Sequence, residues 1–109
     1  MPKIIAAFIL SLFCVSANAA PNDTDCRSFM TTAEIIMSSR QNGVSLSDSL
    51  MILDRNFTNP ESTAKREAIK QIVLAAYQEP YYHTDEMKDV SINEFAALHY
   101  MACLEVNRK

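Results

Sequence analysis

The stretch T-D-C-R-S-F-M-T-T-A-E-I-I-M-S-S-R-Q-N-G, Thr24 to Gly43, decides how this chain folds. Cys26, Phe29, Met30, Ala33, Ile36 and Met37 recur at three- and four-residue steps, so they share one face of a helix. Asp23 or Thr24 is the expected cap. Asn42-Gly43 is the expected stop, because glycine readily takes the left-handed conformation that ends many helices. Gly43 is the only glycine in the sequence, which leaves few places for tight β-turns. Arg40 follows Met37 by three residues and Ile36 by four, placing a guanidinium at the end of the apolar stripe. Such a charge needs a partner. The favoured reading is a structural pair with Glu94, Asp48 or Glu79, and the competing one is an anion clamp, since the guanidinium fork suits carboxylates and phosphates.

Outward from this helix the same 3.6-residue period continues. Ser45-Leu46-Ser47-Asp48 opens a second, short helix with Ser45 as cap and Leu46, Leu50 and Leu53 on one face, ending near Arg55. Asn59-Pro60-Glu61 opens a third, with a cap, a proline in the first turn and an acid beside the helix N-terminus. Its inner face is Ala64, Ala68, Ile72, Ala75 and Ala76, widened by Ile69 and Val73, and Pro80 marks its end. In Tyr81–Asp89, Thr84 or Asp85 is expected to cap a single turn running through Met87. Ser91-Ile92-Asn93-Glu94 reads as a fresh capping box for the closing helix, on which Ile92, Phe95, Ala96, His99, Ala102, Cys103 and Val106 share a face. The expectation is an all-α bundle of four or five helices with short connections.

The first nineteen residues do not belong to that bundle. Lys3 precedes the apolar run Ile4–Val15, and small residues follow to Ala17-Asn18-Ala19. This is the layout of a cleaved secretory signal, residues 1–19, leaving residues 20–109 as one helical domain. The run is too short for a bilayer core of roughly 30 Å. Cys14 leaves with the signal, so Cys26 and Cys103 remain near the two ends of the domain. An even pair in an exported chain is most simply a disulfide. Free thiols, an intermolecular bridge and a pair of metal ligands are the alternatives, and nothing else in the sequence supplies metal-ligand spacing. A Cys26–Cys103 bridge would make the first and last helices antiparallel neighbours.

Charge narrows the choice of partners. The formal net charge is −3, and loss of Lys3 makes the domain one unit more negative. There is no basic face for nucleic acid and no polybasic patch for anionic lipid. H-E-x-x-H, G-x-S-x-G, phosphate-binding glycine loops and EF-hand loops are missing from the sequence, so no catalytic residue, metal site or cofactor is assigned. His99 lies one turn before Cys103, the spacing of a Cys–His couple. An oxidised Cys103 would lack the thiolate, so His99 reads as a core histidine with a structural hydrogen bond. Tyr77, Tyr81, Tyr82 and His83 cluster around a helix-stopping proline and form the candidate surface for a protein partner.

Three segments carry a resemblance. Ile36–Leu50 (I-M-S-S-R-Q-N-G-V-S-L-S-D-S-L), Ile72–Pro80 (I-V-L-A-A-Y-Q-E-P) and Ile92–Cys103 (I-N-E-F-A-A-L-H-Y-M-A-C) are similar to a family of small exported helical proteins of bacteria and their phages. That family shows an R-Q-x-G turn, matched by Arg40, Gln41 and Gly43, and an A-Y-x-x-P helix end, matched by Tyr77 and Pro80. It also shows a closing helix running from a phenylalanine to a cysteine. The resemblance implies a compact helical periplasmic domain and no particular reaction. A more distant likeness is to periplasmic acid-stress chaperones, whose cysteine-then-aromatic opening is echoed by Cys26 and Phe29, although their tryptophans are absent here. The functional expectation is an exported, non-enzymatic protein that binds a protein partner. The alternative is a chaperone conditioned by acid or stress, with Arg40's acidic partner and His99 as its switch.

Overall fold

A computed structural model describes residues 22–107. The signal assigned to residues 1–19 lies outside the described residues. Within them the fold is an all-α bundle: α1 (Asp23–Gln41), α2 (Leu46–Asn56), a 3-10 turn (Pro60–Ser62), α3 (Thr63–Tyr77) and α4 (Asp85–Asn107). No strand occurs among the described residues.

The helix ends follow local side-chain chemistry. The α1 cap is Asn22, one residue before the expected position. Its Oδ1 accepts from the Asp25 N–H at 2.8 Å, and the Asp25 carboxylate accepts from the Asn22 N–H at 3.2 Å. This reciprocal pair satisfies two of the donors a helix start leaves open. At the other end, Val44 N–H reaches Ser39 O and Gly43 N–H reaches Arg40 O, with Gly43 at φ +87°. That is a Schellman ending, in which the left-handed residue turns the chain back on the last carbonyls. Ser45 caps α2 through the Asp48 N–H at 3.0 Å, as expected. Asn59 caps the 3-10 turn through the Glu61 N–H.

The last helix departs from expectation. Thr84 Oγ1 accepts from the Met87 N–H at 3.1 Å, and from there α4 runs without a break to Asn107. The Ser91 capping box is not used. No proline or glycine interrupts residues 85–107, so nothing stops a helix once Thr84 has started it.

Two features position the end of the molecule that carries the candidate site. First, α1 and α4 make the most extensive helix–helix contact. A disulfide between Cys26 and Cys103 joins them, with Cα atoms 5.4 Å apart and both side chains fully buried. This is the expected pairing, and it sets the two helices antiparallel. Second, α3 offers small residues to α1: Ala75 and Ala76 are buried beside Ile72 and Val73, while the upstream Ala64 is exposed. The shared core is Cys26, Phe29, Ala33, Met37, Ile72, Ala75, Ala76, Phe95 and Cys103. Helix α2 lies outside this core and packs mainly on α3. Only its Leu53 is buried, whereas Leu46, Met51 and Ile52 face outward.

Candidate partner-binding site

The site is built at the end of the bundle where α1 stops, α3 stops and α4 begins. Gln41 holds it together. It follows Met37 by one helical turn, so it continues the buried stripe of α1, and it is fully buried. An amide in that position must find partners. Gln41 Nε2 donates to Pro80 O at 2.8 Å, and its Oε1 accepts from Tyr82 N–H at 2.9 Å. The side chain thus imitates a neighbouring backbone strand and clamps the segment after α3. Lys88, from the first turns of α4, donates through Nζ to the Gln41 carbonyl at 2.6 Å. A cation there satisfies an open carbonyl and favours the negative end of the α1 dipole.

Arg40 sits beside this clamp. The expected carboxylate partner is not found: Nη2 and Nε donate to the backbone carbonyl of Glu79, at 3.1 and 3.4 Å, rather than to any side-chain acid. The guanidinium lies 5.3 Å from the Tyr77 ring centre and 5.9 Å from that of Tyr81. Such a planar, weakly hydrated cation is stabilised over aromatic faces. The helix end at Glu79 points its open carbonyls toward Arg40, so a backbone oxygen takes the place expected for an acid. The segments Arg40–Gly43 and Tyr77–Pro80, far apart in the chain, therefore form one cluster.

The four aromatic candidates divide into two roles. Tyr77 is half-buried, and its hydroxyl donates to Val44 O at 2.5 Å. Its one proton being used there, Ser49 donates to the Tyr77 oxygen at 2.8 Å. Tyr77 is thus a strut between α3 and the start of α2. Tyr82 is half-buried on the Gln41 clamp. Tyr81 and His83 face solvent, Tyr81 with 41% of its surface exposed, and their rings meet edge to face at 5.5 Å. Lys88 Nζ lies 4.4 Å from the Tyr81 ring centre and donates to its hydroxyl at 3.1 Å.

His99 lies elsewhere, in the core at 2% exposure. Its Nδ1 is 2.9 Å from Phe95 O. A carbonyl only accepts, so Nδ1 carries the proton and Nε2 is a bare acceptor. Nε2 is buried without a hydrogen-bond partner. The ring rests against Phe95 at 4.3 Å and Phe29 at 5.9 Å. Burial pushes the imidazole below its ordinary pKa, opposed in part by the Phe95 carbonyl. Cys103, one turn on, is in the disulfide and provides no thiolate for a Cys–His nucleophile.

Other groups assemble less. At the disulfide end, Tyr100 Oη donates to Asp23 at 2.5 Å and Arg27 Nε donates to the same carboxylate at 2.8 Å. The Tyr100 hydroxyl, then Arg27, holds the Asp23 carboxyl below its ordinary value. A shallow groove of about 330 Å³ runs along the outer side of α1 between Ile35, Ser38 and Ile92, without a histidine or cysteine in its lining. Among the described residues no cluster of three His, Cys, Asp or Glu could hold a metal ion, and no helix is long and apolar enough to cross a membrane. Lys88 and Ser49 are site residues that the sequence reading missed. The clamp role of Gln41 was missed as well, although its i+4 step from Met37 places it on the buried stripe. Comparison with protein families, with curated proteins and with solved structures finds no match to this chain.

Proposed function

We propose that the chain is an exported, non-enzymatic binding protein that presents Tyr81 and His83 to a protein partner. One observation carries this reading: the two solvent-facing rings stand on a segment whose backbone is fixed by the buried Gln41 amide. A rigid aromatic anchor loses little freedom on binding, which is why such residues dominate interface energetics. The signal-like residues 1–19 and the buried Cys26–Cys103 disulfide support a periplasmic or secreted location. Fold and leader together also fit the family of small exported helical proteins. The test is a crosslinking pull-down from a periplasmic extract with the wild type and a Tyr81→Ala/His83→Ala variant of unchanged circular dichroism. A partner band lost only in the variant supports the surface, and identical bands exclude it.

A second reading, an acid-conditioned chaperone, is favoured by His99. A buried imidazole held neutral in the fold must take a proton in the unfolded chain as pH falls. Among the described residues no other ionisable side chain is buried with it, Gln41 being the other buried polar residue. The disulfide would limit how far such a chain opens. Arg40 drops out of the switch, since it has no carboxylate to release. Circular dichroism and client protection down to about pH 3, where carboxylates also titrate, would test it. A chain that stays folded there and protects nothing excludes the reading.

A further inference from the structure

Tyr81 is flanked by two cations that have no carboxylate of their own. Acidic residues outnumber basic ones in the chain, 13 to 10, and Glu79, Asp85 and Glu86 are exposed on the same stretch. The ion pairs among the described residues nevertheless belong to Arg27 and Arg66, not to Arg40 or Lys88. Both of these cations are held by backbone instead, Arg40 on Glu79 O and Lys88 on Gln41 O. A guanidinium carries five N–H groups. The Glu79 carbonyl takes the Nε edge and one Nη2 hydrogen, leaving the Nη1–Nη2 end that binds a carboxylate in two parallel bonds. Lys88 uses two of its three donors, on Gln41 O and Tyr81 Oη.

We infer that Arg40 and Lys88 form a carboxylate-binding site beside Tyr81, which receives an aspartate or glutamate side chain from an acidic segment of the partner. This rests on the partner-surface reading above and names the chemistry of the partner. The planar guanidinium end matches a carboxylate, and the exposed acids nearby repel a phosphate dianion more than a monoanion. Tyr81 supplies apolar contact next to the charge.

The experiment is a titration of the isotope-labelled, oxidised protein with blocked tetra-glutamate, blocked tetra-glutamine and inorganic phosphate, followed by NMR at Arg40 Nε–H, Lys88 Nζ and the Tyr81 ring. Tetra-glutamate should move all three resonances saturably, and tetra-glutamine should not. Phosphate should act more weakly. Lys88→Gln should weaken tetra-glutamate binding about threefold, the scale of one exposed ion pair. Arg40→Lys should weaken it as well, by removing the fork. No saturable shift with wild type, or an equal response to tetra-glutamine, overturns the site whether or not either variant folds. Phosphate binding as tight as tetra-glutamate overturns its carboxylate class. Failure of the pull-down with peptide binding intact removes the partner surface but keeps the site, and the reverse result removes only the carboxylate chemistry.

Discussion

The two ends of the α1–α4 pair are joined in opposite ways. At one end a covalent bond, Cys26–Cys103, is buried among apolar side chains, and the polar groups nearby are the exposed Asp23 and Arg27 and the hydroxyl of the half-buried Tyr100. At the other end nothing is covalent. A buried amide and two cations tie α1 to the segment that follows α3 and to α4, and the Tyr77 hydroxyl ties α3 to the start of α2. A disulfide acts mainly on the unfolded chain and specifies little about its surroundings. Buried hydrogen bonds are strongly directional, and they place each atom they hold. The covalent end therefore supplies stability, while the hydrogen-bonded end fixes the shape of the surface that carries Tyr81 and His83.

The largest test of this contrast is reduction, or a Cys26→Ser/Cys103→Ser variant. The bridge closes a 77-residue separation, which the chain-entropy relation values at about 4–5 kcal/mol. Urea denaturation should show a loss of that order for the whole domain. Gln41→Leu should come next. It leaves the Pro80 carbonyl and the Tyr82 N–H without their buried partner, a penalty of about 2–4 kcal/mol. Hydrogen exchange should then rise first in residues 78–84, while the protection of residues near Cys26 and Cys103 persists. Equal exchange at both ends would break the comparison.

His99 gives a smaller, pH-dependent effect. Its folded-state pKa lies below the ordinary 6.5, so above that value both states are neutral and the residue contributes no pH dependence. As pH falls below 6.5 the unfolded chain binds a proton that the fold refuses. Stability then falls by up to about 1.4 kcal/mol per pH unit until the folded pKa is reached. His99→Leu should remove this slope in denaturation curves recorded between pH 7 and pH 5. Tyr100→Phe should do least. Phenylalanine keeps the half-buried ring that packs against the core and removes only the hydroxyl, whose bond to the exposed Asp23 is screened by water, so global stability should not move measurably. The Asp23 carboxyl should still titrate closer to its ordinary value, because the Tyr100 hydroxyl is the main cause of its depression; carbon-detected NMR would read that change.

Much of the fold was legible because it rests on short-range rules. The apolar positions of α4 from Phe95 to Val106 are buried as their spacing requires, and Ser45 and Asn59 cap where their side chains allow. The same rules misled at Ser91. A capping box permits a helix start but does not end the helix already running through it, and Thr84 had begun one. They were also one residue late at α1, where Asn22 competes with Asp23 and Thr24 for the same role. Around the candidate site, local pattern identified Arg40 and the tyrosines, and the family resemblance identified Gln41, but neither identified their partners. The partners are backbone atoms of Glu79, Pro80, Tyr82 and Val44, and every residue type offers the same carbonyl and amide.

The sequence by itself determined an all-α fold, the core stripes of the first and last helices and a cysteine pair placed to join them. These follow from helical period and residue type, which act over a few positions at a time, whereas Leu46 and Ala64 of the two middle helices proved exposed. Tertiary structure alone decided that the Arg40–Gly43 and Tyr77–Tyr82 segments meet, that Gln41 clamps the second of them, and that Arg40 and Lys88 stand without carboxylates beside Tyr81. Those relations span about forty residues of chain, and they exist only once packing has brought the ends of α1 and α3 and the start of α4 together.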